Sequence, residues 1–155
     1  MKETERLLDQ MTRAYEGEAW HGPSLMEALV DVSAEEAAAY PLPQVHTIWE
    51  IILHLTAWED AACRRLAGEP ARLTDEQDWP PVTDPSPAGW QKALAALKAG
   101  HLRLREAVAR LDDADLDRLS PPGEAYSFYV LLHGIVQHNL YHAGQIILLK
   151  KTLRT

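Results

Sequence analysis

The sequence predicts an all-α protein built as a four-helix bundle, with short bridging helices between the first and second long helices. Apolar residues recur at helical spacing in four long segments. No stretch alternates apolar and polar residues over the length of a typical strand. With 155 residues, the chain is large enough to bury its own apolar core, so residues 1–155 are expected to form a single domain.

The first long helix is predicted over Glu3–Glu18, where one face carries Thr4, Leu8, Met11 and Tyr15. Two Ser-x-x-Glu capping boxes follow, beginning at Ser24 and at Ser33. In such a box the serine and glutamate side chains bind backbone N–H groups in the first turn of a helix. Two short helices are therefore expected to bridge from the first long helix to Tyr40.

The second long helix is predicted over Gln44–Ala67, and Gly68 is the residue expected just past its end. The segment Gly68–Pro87 has no clear periodicity and is rich in proline, and long loops of this kind often border functional sites. We expect it to form part of a pocket rim, with Trp79 as an apolar wall, and not to ligate a metal.

The third long helix is predicted over Pro87–Leu111, with Ser86 as its cap. Its apolar stripe is the clearest in the chain: Trp90, Leu94, Leu97, His101, Leu104, Val108 and Leu111. A break is predicted at Pro121–Gly123, and Ser127 is the expected cap of the fourth long helix.

The fourth segment, Tyr126–Leu149, contains no Asp, Glu, Lys or Arg. Its length would suit a membrane span, but it contains three histidines, two glutamines and an asparagine, which would lack polar partners in lipid. The segment is therefore interpreted as the central helix of a bundle, buried on more than one side.

The net charge of −8 argues against binding to nucleic acids or to anionic membranes, both of which attract clustered Lys and Arg. The single cysteine, Cys63, excludes an internal disulfide and fits a reducing compartment. The first residues lack the apolar core of a signal peptide, so a cytoplasmic location is expected.

His138 and His142 are four residues apart and lie on one face of the fourth helix, where two imidazoles can bind one metal ion. His54, in the middle of the second apolar helix, is the best candidate for a third ligand. Three ligands and an open position are typical of a catalytic metal site. The residue pattern alone leaves an alternative open, in which all three are core histidines satisfied by hydrogen bonds.

Further residues have more than one interpretation. Glu50, one turn before His54, is a candidate catalytic base or a group that orients a ligand, and the alternative is a solvated residue at the end of the bundle. His101 is expected to face the core as a hydrogen-bonded histidine, with a fourth ligand or a proton shuttle as the alternative. His21 follows Trp20 in a turn, where packing is favoured over lining a pocket. Cys63 lies off the face of His54, which argues against a nucleophile.

Three segments resemble the DinB-like family: Ala19–Ser24, His46–Glu59 and His138–Ile146, the last with the motif His-x-Gly-Gln-Ile. The resemblance covers nearly the whole chain and implies a four-helix bundle, often dimeric, with a three-histidine metal site. It maps that site onto His54, His138 and His142. Some relatives are transferases that use the low-molecular-weight thiols bacillithiol or mycothiol. The family name does not imply DNA chemistry.

We therefore expect a metal-dependent enzyme, of the thiol S-transferase type or a hydrolase, that binds zinc or nickel and acts on a small-molecule substrate. A low-molecular-weight thiol is a possible second cofactor. The alternative is a non-catalytic metal-binding or sensing bundle. A homodimer is also expected, because the second and fourth helices are apolar over more surface than one bundle core can cover.

Overall fold

A computed structural model describes residues 1–121 and 124–155, and this part of the chain contains helices and no β-strand. The helices are α1 (Glu3–Tyr15), α2 (Leu25–Ala28), α3 (Ala34–Ala38), α4 (Ile48–Leu66), α5 (Asp75–Asp78), α6 (Pro87–Ala109) and α7 (Phe128–Leu153). A 3-10 helix, Asp113–Asp117, lies between α6 and α7. The predicted all-α class is confirmed, with four long helices. The predicted break at Pro121–Gly123 includes Pro122 and Gly123, which lie outside the described residues.

Side-chain caps begin most of these helices where the sequence predicts them. Ser24 and Ser33 form the two predicted capping boxes, so the bridging helices are confirmed as α2 and α3. The Ser86 hydroxyl accepts a hydrogen bond from the Gly89 N–H at the start of α6, and the Ser127 hydroxyl accepts one from the Val130 N–H at the start of α7.

Two features around α4 differ from the prediction. The helix begins at Ile48 and not at Gln44, because Thr47 caps it together with Glu50. Gln44 has a φ of 61°, a left-handed conformation that a helix cannot include. The loop after α4 contains the unpredicted short helix α5, which begins with a capping box between Thr74 and Gln77.

The predicted buried face of α1 is partly wrong. Leu7 is buried, whereas the predicted Leu8 is only partly buried. On α6, most of the predicted stripe is buried, and Leu94 and Leu111 are partly exposed.

The long helices pack around two apolar clusters. Helix α4 packs against α6 and α7, and α1 packs against the same two helices. Buried polar residues separate the two clusters along three of the helices: Glu59 on α4, His101 on α6, and Asn139 and His142 on α7. A polar layer thus lies between the two apolar clusters. Among residues 1–121 and 124–155, no helix is long and apolar enough to cross a membrane.

Candidate metal centre

Three histidines from two helices direct their Nε2 atoms toward one point. His54 comes from α4, and His138 and His142 come from successive turns of α7. The His138 Nε2 lies 3.0 Å from the His54 Nε2 and 3.0 Å from the His142 Nε2. The structure brings together the three residues that the sequence predicts as ligands, with one ligand atom from each within 4.8 Å of the others.

Hydrogen bonds at the opposite ring nitrogens fix two of the three tautomers. The His54 Nδ1 lies 2.7 Å from the Asp78 carbonyl oxygen, which can only accept, so this nitrogen carries the proton. The His142 Nδ1 lies 2.6 Å from the Gln145 Oε1 and donates to it. Neutral His54 and neutral His142 therefore both present an Nε2 lone pair to the central point.

This arrangement fits a divalent cation. The Nε2 lone pairs of His54 and His142 converge with the Nε2 of His138. While all three rings are neutral, only the His138 Nε2 can carry a proton. Nitrogen ligands bind zinc at about 2.0–2.1 Å, which places neighbouring ligand atoms of a tetrahedral site about 3.3 Å from each other. The two Nε2 separations of 3.0 Å at His138 are close to that spacing.

Burial keeps these imidazoles neutral. Desolvation makes the largest contribution to lowering the pKa of His138 to about 3, and the neighbouring His142 and His54 lower it further. Desolvation also lowers the pKa of His142 to about 4, and it lowers the pKa of His54 although the Asp78 contacts oppose the shift. Metal ligation requires neutral imidazole, so all three side chains are in the competent protonation state at neutral pH.

Residues of the loop after α4 pack against the His54 ring. The Trp79 indole stacks on the His54 ring with centroids 3.9 Å apart and an angle of 5°. His46, which the sequence does not distinguish from an ordinary surface histidine, stacks on Trp79 at 3.5 Å. The Asp78 carboxylate accepts a hydrogen bond from the Trp58 Nε1 at 2.6 Å and lies 3.1 Å from the His54 Nδ1.

Sequence reasoning missed the orienting role of Asp78. The contact to His54 uses a backbone carbonyl, and no residue pattern reveals where a carbonyl will point. The capping box at Thr74 was the available signal, because it predicts a helical turn that ends near Asp78.

Two cavities border the three-histidine site. One has a volume of about 470 Å³ and contacts all three histidines, with further walls from His46, Trp79, Tyr141 and Gln145. The other, of about 280 Å³, shares only His138 with the first and extends between α4 and α7. The two cavities thus meet at the His138 side chain.

A protein-family model described as the DinB superfamily matches residues 19–146. The chain belongs to the DinB superfamily. The matched region includes His54, His138 and His142, together with the supporting residues Asp78 and Trp79. No curated protein and no solved structure gave a match.

In this DinB-superfamily chain, Glu50 caps a helix. Its carboxylate accepts hydrogen bonds from the Thr47 N–H at 2.8 Å and from the Tyr40 hydroxyl at 2.8 Å. Burial acts to raise the pKa of Glu50, but these hydrogen bonds and His46 lower it overall. Glu50 lines neither of the two cavities, and its predicted role as a catalytic base stays a prediction.

Apart from His46, the remaining histidines lie away from the three-histidine site. His101 is 1% exposed, with its Nδ1 3.2 Å from the Glu59 Oε1 and its ring stacked on Tyr15 at 3.8 Å, in the hydrogen-bonded core position expected for it. His21 is exposed in a turn, and the half-buried His133 contacts the Tyr129 ring.

Cys63 has the properties of a structural cysteine. Its side chain is half-buried, and burial raises the pKa of the thiol to about 11. The thiol is therefore protonated at neutral pH and is a weak nucleophile. This agrees with the expectation that Cys63 is not a nucleophile.

Proposed function

We propose that this protein is a metal-dependent enzyme that acts on a small molecule, with one divalent ion, zinc or nickel, held by His54, His138 and His142. The favoured reaction is transfer of a low-molecular-weight thiol to an electrophile, as in some members of the family, and hydrolysis is the other candidate. One observation carries the proposal: three neutral imidazoles converge where two cavities meet.

A divalent ion on three neutral imidazoles keeps its full charge and would act as a Lewis acid that lowers the pKa of a water or thiol at an open position. The chain prepares the ligands for that ion. Asp78 and Gln145 hold the protons of His54 and His142 on the nitrogens that face away from the site. Trp79 covers one face of the His54 ring and excludes water from it.

The alternative is a non-catalytic metal-binding or sensing protein. A site of that kind is usually closed by a fourth protein ligand. Among the described residues, the group of side chains able to hold a metal contains only the three histidines, and the nearby Gln145 Oε1 is already bound to His142. These contacts favour an open position and thus the enzyme.

The proposal extends to architecture and assembly. We infer that α1, α4, α6 and α7 form the four-helix bundle expected for the family, because α1 and α4 each pack against α6 and α7. We also infer a homodimer. Helix α7 leaves Tyr141 and Leu148 64% and 60% exposed, so it retains apolar surface for a second copy.

The test is metal analysis of protein purified without a His-tag, together with two assays. The first follows transfer of bacillithiol or mycothiol to a chloronitrobenzene, and the second follows hydrolysis of a nitrophenyl ester. We expect about one ion per chain, with activity in one assay that is lost on chelation. His138→Ala should lose metal and activity, whereas His133→Ala should retain both.

Two results would contradict the proposal. Equal metal content in the wild type and in His138→Ala would refute the ligand assignment. Full metal occupancy of the three histidines without turnover in either assay would favour the non-catalytic alternative.

A further inference from the structure

The smaller cavity runs along the interface of α4 and α7. At one end His54 contacts His138, and at the other Arg65 contacts Tyr126, so the two helices are antiparallel here. The walls between these ends are mainly apolar: Trp58, Val130, Leu131, Gly134 and Ile135. The cavity volume of about 280 Å³ is enough for a small organic molecule.

Arg65 brings a positive charge to this apolar cavity. The residue is 4% exposed, with the Nη1 donating to the Tyr126 hydroxyl at 2.7 Å and the Nη2 to the Ala71 carbonyl at 2.8 Å. Among the described residues, no carboxylate lies within 4.0 Å of the guanidinium, and the Nε is buried without a hydrogen-bond partner. Burial of a charge without an opposite charge is costly, so this cation is suited to an anionic ligand.

The size of the cavity also depends on Gly134. Glycine inside a helix costs roughly 0.5–1 kcal/mol relative to alanine. Gly134 lies inside α7 and lines the cavity, and a Cβ placed there would meet nothing within 4 Å. Close packing therefore does not require glycine here, and the missing side chain leaves the cavity open.

We propose that this cavity binds a small carboxylate with an apolar body, the carboxylate at Arg65 and the body extending along Gly134 toward His138. Arg65 has five N–H donors, of which two are used within the protein, so the guanidinium can donate to one carboxylate oxygen. The Tyr126 hydroxyl accepts from Arg65 and so has its own proton to donate to the other. Two donors match the two oxygens of a carboxylate, whereas a phosphate would place a third oxygen against apolar walls.

The cavity also sets the length of the ligand. The Arg65 Cζ lies 5.4 Å from the Trp58 ring centroid, which lies 6.1 Å from the His138 ring centroid. The guanidinium and the imidazole are therefore at most about 12 Å apart. A molecule held at Arg65 can thus extend to His138. The assignment of this ligand as the substrate rests on the proposed function.

The test uses 3-phenylpropionate as the probe and the uncharged 3-phenylpropanamide as its matched control. Binding of each is measured by isothermal titration calorimetry to metal-free and to metal-loaded wild-type protein. We expect the acid to bind at least about tenfold more tightly than the amide in both forms, because hydrogen bonds to charged groups are the strong ones. Equal affinities would overturn the proposal, as would acid binding only in the metal-loaded form.

Variants separate the charge from the cavity. Arg65→Gln should abolish the preference for the acid, and Arg65→Lys should keep part of it. Gly134→Leu should fill the cavity and abolish binding of both probes, whereas Gly134→Ala, which adds one carbon, should retain binding. Unchanged acid binding in folded Arg65→Gln or in Gly134→Leu would overturn the proposal.

Two features keep the result interpretable. If Arg65→Gln does not fold, comparing the two probes in the wild type and in the two Gly134 variants still tests whether the cavity binds a carboxylate. Binding to metal-free protein does not depend on turnover, so a failure of the carboxylate site and a failure of the proposed enzyme activity are distinguishable.

Discussion

The His54 Nδ1 donates a hydrogen bond to the backbone carbonyl of Asp78, across a distance of 2.7 Å. A helix in the core thus supplies the ligand, and the loop that follows it fixes which ring nitrogen carries the proton. On the α7 side, the Gln145 amide oxygen does the same for His142 at 2.6 Å. The metal affinity of the site should therefore depend on residues that do not touch the metal.

Gln145→Leu is expected to weaken metal binding without removing a ligand. The substitution releases the His142 ring from its fixed tautomer, and loss of such outer contacts typically costs about 10–100-fold in affinity. Competition with a chelating dye measures the effect. Gln137→Leu, at an exposed position of the same helix, is the control and should bind metal like the wild type. Equal affinities in the two variants would show that Gln145 does not orient the ligand.

The free energy of unfolding of the metal-free protein is expected to fall as the pH falls below about 6.5. In the unfolded chain the imidazoles take up protons near pH 6.5. In the folded chain His138 and His142 do so only near about 3 and about 4. Between these values the unfolded state binds more protons, so stability rises with pH and levels off above the unfolded pKa.

Urea unfolding at steps between pH 4.5 and 7.5 measures this slope. His138→Leu removes one of the three imidazoles whose pKa is lowered by burial, so its slope should be smaller by about one proton. His21→Ala, at an exposed histidine, should leave the slope unchanged. A slope in His138→Leu equal to that of the wild type would contradict the assignment of this pH dependence to the buried histidines.

Removal of metal is expected to leave the helices folded. The two apolar clusters that join the long helices do not depend on an ion, in contrast to structural zinc sites, whose domains unfold without metal. Chelator at neutral pH should therefore remove the ion while helical circular dichroism stays constant. Simultaneous loss of metal and helicity would identify the site as structural and favour the non-catalytic alternative.

Much of the site could be predicted from the sequence. His138 and His142 follow from their spacing on a charge-free helix, and His54 follows from its place in a second apolar helix. The start of α4 was predicted too early, because the apolar pattern gives no sharp boundary, although the Thr47–Glu50 capping box marks it in the sequence. Asp78 was missed because it acts through its backbone. Arg65 was missed because its burial depends on the packing of α4 against α7.

The polar layer formed by Glu59, His101 and Asn139 is expected to stabilise the fold independently of the metal. The Glu59 Oε1 contacts both the His101 Nδ1 and the Asn139 Nδ2, and all three residues are 1% exposed. His101→Leu leaves a buried Glu59 oxygen without one of its hydrogen-bond partners, which should lower the free energy of unfolding by about 1–3 kcal/mol.

Urea denaturation and metal analysis of the same sample test this prediction. His101→Leu should be less stable than the wild type but keep its metal. Among the described residues, His101 contacts Glu59 and Tyr15 and none of the three histidines. The double variant Glu59→Leu/His101→Leu should recover part of the lost stability, since it replaces both partners of the buried contact by apolar side chains. Loss of metal in folded His101→Leu would show that the polar layer and the metal site are coupled.

The oligomeric state is a separate expectation. Because α7 leaves Tyr141 and Leu148 largely exposed, we expect a homodimer with twice the chain mass of 17.4 kDa. Light scattering at low micromolar concentration measures the mass, and Leu148→Glu should shift it toward the monomer. A wild-type mass of 17.4 kDa would rule out the dimer at that concentration.

X-ray absorption spectroscopy of the metal-loaded protein, with and without a low-molecular-weight thiol, tests the central claim most directly, since it reports the ligands and the open position together. We expect three imidazole nitrogens at about 2.0–2.1 Å plus an exchangeable oxygen, and a sulfur at about 2.3 Å after thiol is added. A spectrum without three imidazoles would contradict the three-histidine site. A fourth protein ligand that thiol does not displace would contradict the open position.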